Sequence, residues 1–224
     1  LYQKIITFGR HVRIFRRTPL EHSSITNSPS LVLQELWQRF KTGDQQAFGE
    51  LARLHYRSLY NYGLRLTTDS ELIWDTIQDL YLELWDRRTS VKDAVFVKTY
   101  LLKALRYKLL KSLQSHQSVD AQDEAMLAQL SFDVSVEQQI IEDESQREQL
   151  QHLRRLMATL SKRQQEILYL RFYQNLENHE IAQIMGLERQ SVANLLHRTF
   201  KELRQHWSTD LLFLLLGQLW LDAQ

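Results

Sequence analysis

The chain has 224 residues, and its 28 Lys and Arg against 27 Asp and Glu leave a net charge of +1; it has no cysteine, six glycines and two prolines. Without cysteine there is no disulfide, thiolate metal site or cysteine nucleophile, and so few turn residues argue against a β-sandwich or barrel and for an all-α chain of two small helical domains. The longest apolar stretch, Leu211 to Leu216 with Leu219, Trp220 and Leu221 beyond, falls short of the roughly 18 residues of a membrane span, and no signal peptide is visible, so the expected location is cytoplasmic.

Residues 1–30 carry Arg10, His11, Arg13, Arg16 and Arg17 ahead of a Ser/Thr/Asn/Pro stretch and read as a basic arm. Helical spacing starts at Leu31 and continues through Leu33, Leu36, Trp37 and Phe40 to a stop at Gly43. Asp44 is the expected N-cap of a second helix carrying Phe48, Leu51, Leu54, His55, Leu59, Tyr62 and Leu66. Thr68 with Glu71 has the spacing of a capping box, which opens a third helix running to about Arg88. A fourth covers Val95 to Leu113, and residues 31–114 make one bundle.

Residues 115–148 gather Asp120, Asp123, Glu124, Asp133, Glu137, Glu142, Asp143, Glu144 and Glu148 among Gln and Ser, the composition of an acidic linker. A second domain spans 149–207. Leu150, Leu153, Leu156, Met157 and Leu160 mark its first helix, and Ser161 with Gln164 forms a capping-box pattern for a helix through Phe172. Asn178 to Met185, a turn at Gly186, and Arg189 to about Trp207 then have the layout of a helix-turn-helix. Residues 208–224 form an apolar tail that is expected to dock on a surface.

The faces of these helices carry the functional argument. In the last one, Val192, Leu195, Leu196, Thr199 and Leu203 share one side, leaving Arg189, Gln190, Ser191, Asn194, His197, Arg198 and Lys201 to face outward. Gln and Asn suit base edges, and Arg and Lys suit phosphates; an ordinary solvated helix face is the plainer alternative. On the third helix, Ile73, Thr76, Ile77, Leu80 and Leu84 form a core stripe, opposite Asp75, Gln78, Asp79, Leu82 and Asp86 with Trp85 on the flank. A mixed acidic and apolar face of that kind fits a protein partner, with Trp85 either as anchor or as cover for the bundle edge. The fourth helix concentrates Lys98, Lys103, Arg106, Lys108 and Lys111, which can line phosphates, while Phe96 and Tyr100 either offer stacking faces to single-stranded bases or pack in the core.

The segment Trp74-Asp-Thr-Ile-Gln-Asp-Leu-Tyr-Leu-Glu-Leu-Trp85 resembles the region-two motif of the extracytoplasmic-function sigma factors. Leu36 to Phe48 looks like the start of the same region, and the stretch from Leu160 through Glu180-Ile-Ala182 to Leu203 resembles sigma region four. This resemblance implies that Asp75, Gln78, Asp79, Leu82 and Trp85 bind core RNA polymerase. It implies that the fourth helix opens and reads the promoter minus-ten element, and that region four reads the minus-thirty-five element. An anti-sigma factor or other regulator is a further partner that the family implies. Three departures stand out: Tyr107 where the family usually has Asn, Ala193 and Leu195 where cations are frequent, and the tail after Trp207.

Catalysis is not expected, nor is any cofactor or metal. His179-Glu180 begins like a zinc-protease motif, but Gln183 takes the place of the second His. Two other readings remain beside the sigma factor: a stand-alone helix-turn-helix regulator, and a polymerase adaptor recruited by another DNA-targeting protein.

Overall fold

In a computed structural model of the chain, residues 29–91, 96–115 and 155–204 are described. Residues 1–28 of the basic arm, 116–148 of the acidic linker, Leu150 and Leu153 of the second domain's first helix, and the apolar tail lie outside them. Among the described residues every regular element is helical, in the order α1 (Pro29–Lys41), α2 (Gln45–Leu66), α3 (Ser70–Asp86), α4 (Val97–Ser115), α5 (Lys162–Leu168), a π-helical turn (Tyr169–Tyr173), α6 (Asn178–Met185) and α7 (Arg189–Arg204). Residues 155–159 are helical as well.

Helices α1 to α4 pack around Trp37, Phe40, Leu51, Leu59, Tyr62, Ile73, Ile77, Leu101, Leu105 and Leu109, all buried. Local chemistry sets the starts of these helices. The Asp44 carboxylate accepts from the Gln46 and Ala47 amides at 2.8 and 3.1 Å, satisfying two orphan donors of α2. At α3 the cap is Asp69, whose carboxylate accepts from the Glu71 and Leu72 amides, and not Thr68. A carboxylate there also complements the positive end of the helix dipole, which a Thr hydroxyl cannot do. Gly63 lets α2 and α3 approach closely: a Cβ added there would meet Ile73 Cγ2 at 2.6 Å. Leu54 breaks the expected stripe of α2 and is 58% exposed.

The second domain packs around Ile167, Leu168, Leu170, Ile181, Ile184, Val192 and Leu203. The capping box of Ser161 and Gln164 is present, with each residue bonding the other's backbone amide. The helix it opens does not stay α through Phe172; after Leu168 it widens into the π turn, closed by a bond from the Gln174 amide to the Tyr169 carbonyl. Insertion of one residue into a helix in this way re-aims the side chains that follow it. Between α6 and α7, Gly186 adopts φ +65, the left-handed conformation that ends α6 and that a Cβ would strain.

The two domains are in contact. Tyr62 stacks on Tyr169 with ring centroids 5.9 Å apart, and α4 lies against α6.

Candidate nucleic-acid interface

Helix α7 presents the more open surface. Arg189, Gln190, Ser191, Asn194, His197, Arg198 and Lys201 are all exposed, while Val192, Leu196, Thr199 and Leu203 are buried against α6 and α5 and Leu195 is half-buried. The hydrophobic stripe decides this split, because the helix has only one apolar side to bury. Gln190 Nε2 donates to Asn194 Oδ1 at 3.2 Å, so two amides that could read base edges are held side by side one turn apart.

The face of α3 is exposed at Asp75, Asp79 and Asp86 and half-buried at Gln78, Leu82 and Trp85. Trp85 turns toward the bundle. Its ring lies 5.1 Å from Phe48 and 6.3 Å from Phe40, and the Arg88 guanidinium sits 4.7 Å over it. It therefore roofs the aromatic core and leaves one side to solvent. Asp75, Asp79 and Asp86 form the freer part of the patch, with Leu82 half-buried between them.

Helix α4 divides its candidates between two environments. Phe96, Tyr100, Lys103 and Lys111 lie on an exposed stripe, and Tyr107, at 66% exposure, falls on the same stripe. Tyr107 was legible from sequence only as a departure from a family pattern; its spacing of seven from Tyr100 is the signal that places it there. Phe96 and Tyr100 are 45% and 38% exposed, so neither is a core residue, although Tyr100 meets Trp37 edge-on and Phe96 meets His179 at 5.2 Å. Lys108 pairs with Glu83 of α3 at 2.5 Å.

Lys98 and Arg106 face the second domain. Arg106 Nε donates to Glu166 Oε1 at 2.8 Å and Nη2 to Oε2 at 3.3 Å, a bidentate pair. The Tyr62 hydroxyl donates to the same Oε1 at 2.5 Å. Burial works against the Arg106 charge, yet the Glu166 carboxylate outweighs it and holds the guanidinium firmly protonated. Tyr62 is buried and its hydroxyl is pushed well above its usual range, first by burial and then by Glu166. Lys98 Nζ donates to the Gln174 carbonyl at 2.8 Å; burial lowers its pKa, partly offset by Glu180. Beside it Thr99 donates to Glu180 Oε1 at 2.6 Å, and Ser58 to Gln174 Oε1 at 2.6 Å. His55 is buried next to this cluster, and burial followed by the nearby Lys98 charge lowers its pKa to about 4.

Among the described residues no group of His, Asp and Glu is arranged to hold a metal ion, and no helix is long and apolar enough to cross a membrane. The His179-Glu180 pair does other work. Glu180 completes a capping box with Glu177 at the start of α6, and its second oxygen reaches Thr99.

A family profile described as "Sigma-70, region 4" matches residues 150–203. The protein named RNA polymerase sigma factor YlaC, of Bacillus subtilis (strain 168), is 26% identical over 160 residues, which is 70% of this chain and 90% of that protein. The solved structure titled "Structure of CnrH in complex with the cytosolic domain of CnrY" shares the fold at a TM-score of 0.50 and 18% identity, covering 78% of this chain and 96% of CnrH.

Proposed function

We propose that the chain is a sigma factor of the extracytoplasmic-function type, directing promoter recognition and transcription initiation, and we assign the surfaces that meet polymerase and DNA as follows. The polymerase surface is the outward side of α3: Asp75, Gln78, Asp79 and Leu82, with Trp85 as the packed edge that holds the helix in place. The minus-thirty-five surface is the exposed side of α7, where Gln190, Ser191 and Asn194 read bases and Arg189, His197, Arg198 and Lys201 position the helix on phosphates. The minus-ten surface is α4, with Phe96, Tyr100 and Tyr107 as stacking faces and Lys98, Lys103, Arg106, Lys108 and Lys111 as cations for the backbone. The domain limits follow the same reading: region two over 31–114, region four over 149–207, with the arm, linker and tail outside them.

We assign the chain no covalent chemistry, no cofactor and a cytoplasmic place of action beside core polymerase. We also propose an anti-sigma protein as a regulatory partner; the solved neighbour CnrH is in complex with the cytosolic domain of CnrY.

One observation carries the polymerase assignment: α3 buries Ile73, Ile77, Leu80 and Leu84 completely enough to fix the helix, and still keeps Asp75, Asp79 and Leu82 accessible. Asp79→Ala with Leu82→Ala should abolish co-purification with core polymerase while leaving the melting curve nearly unchanged. Full retention of polymerase binding by that folded double variant would refute the assignment.

A further inference from the structure

The bond between Gln190 and Asn194 on α7 matters more for its chemistry than for stability. Both residues are exposed, they lie four positions apart within the first two turns of the helix, and Gln190 Nε2 donates to Asn194 Oδ1 at 3.2 Å. A pair at this spacing adds little to the stability of a helix. A side-chain amide has an acceptor oxygen at one end and two donor hydrogens at the other, so its orientation decides which bonds it offers. With its oxygen turned back onto Gln190, Asn194 offers the two Nδ2 hydrogens. Gln190 spends one amide hydrogen on the bond and keeps the second beside its own Oε1, so it offers a donor and an acceptor together.

The major-groove edges of the bases distinguish these two presentations. Adenine carries a donor at N6 beside an acceptor at N7, the match for Gln190. Guanine carries two acceptors, O6 and N7, the match for the two Asn194 hydrogens. An unconstrained asparagine pairs with adenine instead, because its oxygen is then free to receive the N6 hydrogen. We propose that Gln190 is a specificity-determining residue in two ways: it reads adenine itself, and by holding the Asn194 amide in one orientation it makes Asn194 a reader of guanine at the neighbouring base pair. This rests on the reading of α7 as the minus-thirty-five surface. The bonded amide atoms are 3.2 Å apart, close to the rise of about 3.4 Å per base pair, so the two side chains meet adjacent pairs. The residues between them, Ser191, Val192 and Ala193, carry no charge to draw the Asn194 oxygen away from Gln190. Beneath them Val192 and Leu196 are buried, which fixes the rotation of the helix and with it the face that carries the pair.

The test is a selection by polymerase holoenzyme carrying the full chain, from promoter fragments that the parent transcribes, randomised over the minus-thirty-five segment. The parent should enrich an A·T pair beside a G·C pair. Asn194→Ala should erase the guanine preference and keep the adenine preference, which identifies the pair that Asn194 meets. Gln190→Met has similar length and makes no hydrogen bond to the amide. It should erase the adenine preference and also change guanine to adenine at the Asn194 position, a shift of about fivefold or more in the ratio of the two bases. Gln190→Glu accepts where Gln190 donates, so it should turn the Asn194 amide over and favour a base that donates, adenine or cytosine, at that position. Both Gln190 changes are at an exposed position, and melting curves check that the fold is kept. A bond that only stabilises the helix would leave every base preference in place when Gln190 is changed. That outcome, an Asn194 position still selecting guanine in both Gln190 variants, would overturn the coupling and leave the reading of α7 intact. A parent holoenzyme with no base preference anywhere in the segment would overturn both.

Discussion

The two helices proposed to meet DNA, α4 and α7, are both amphipathic, yet they differ in what their polar sides meet. Along α7 all seven candidate residues are open to solvent, and the only bond shown between two of them is the one from Gln190 to Asn194. Along α4, Lys98 and Arg106 are taken up by the second domain and Lys108 by Glu83. A sequence pattern identifies a polar face in both cases. Which partner satisfies that face, solvent or another part of the chain, is a tertiary matter, and it decides whether the surface is ready for DNA.

The sharpest way to break the comparison is at Arg106. Arg106→Met leaves the Glu166 carboxylate buried without its cation, a defect that costs about 3–5 kcal/mol where the site cannot relax. If the domains can part, the chain escapes most of that cost by opening. The expected result is a larger radius of gyration in small-angle scattering with both cores still folded by circular dichroism. The equivalent change on α7, Arg198→Ala, should alter neither.

A second contrast concerns pH. His55 lies beneath the Lys98 side of the contact, and its pKa is lowered from 6.5 to about 4. Because the folded value is the lower one, the contribution is fully present above pH 6.5 and is lost as pH falls toward 4, since the unfolded chain then takes up the proton first. The loss should approach ~3 kcal/mol near pH 4, on the order of 1.4 kcal/mol per pKa unit. Denaturant titrations of the parent and His55→Gln from pH 7.5 to 4.5 check this: the parent should lose stability more steeply, and parallel curves would contradict it.

The smallest effects belong to the open face of α7. Asn194→Ala should flatten the preference among minus-thirty-five duplexes by about 1–3 kcal/mol, as expected for loss of a paired base contact. Arg198→Ala should weaken all sequences alike and reduce the slope of log affinity against log salt by roughly 0.9. Salt titrations of the polymerase holoenzyme on matched and mismatched duplexes separate the two variants. Exchange of these behaviours would reverse the roles given to Asn194 and Arg198.

Much of the fold was readable because periodicity and caps are local. The stripes of α3 and α7, the Asp44 cap, the Ser161 and Gln164 box and the Gly186 turn follow from residue spacing within a turn or two. The cap of α3 was misplaced by one residue because Thr68 and Asp69 are both cap formers, and only geometry shows that Asp69 reaches the free amides. The π turn after Leu168 was not readable, since no residue type marks the insertion. At the candidate sites, exposure of the α7 residues followed from pattern alone. The burial of Lys98 and Arg106 did not, because their partners Gln174 and Glu166 lie 76 and 60 positions away and carry no sign of the contact in their own neighbourhood. Trp85 is legible as a flank residue, while its packing over Phe48 depends on a tertiary contact that the sequence does not mark.

The most direct measurement is run-off transcription with core polymerase and a library of promoter duplexes, comparing the parent chain with Asp79→Ala/Leu82→Ala and with Asn194→Ala. The parent should yield transcripts from a defined subset of promoters, the α3 double variant should yield none, and Asn194→Ala should transcribe with a broadened promoter set. Promoter-independent output, or sequence-specific duplex binding without polymerase and no transcript at all, would contradict the account.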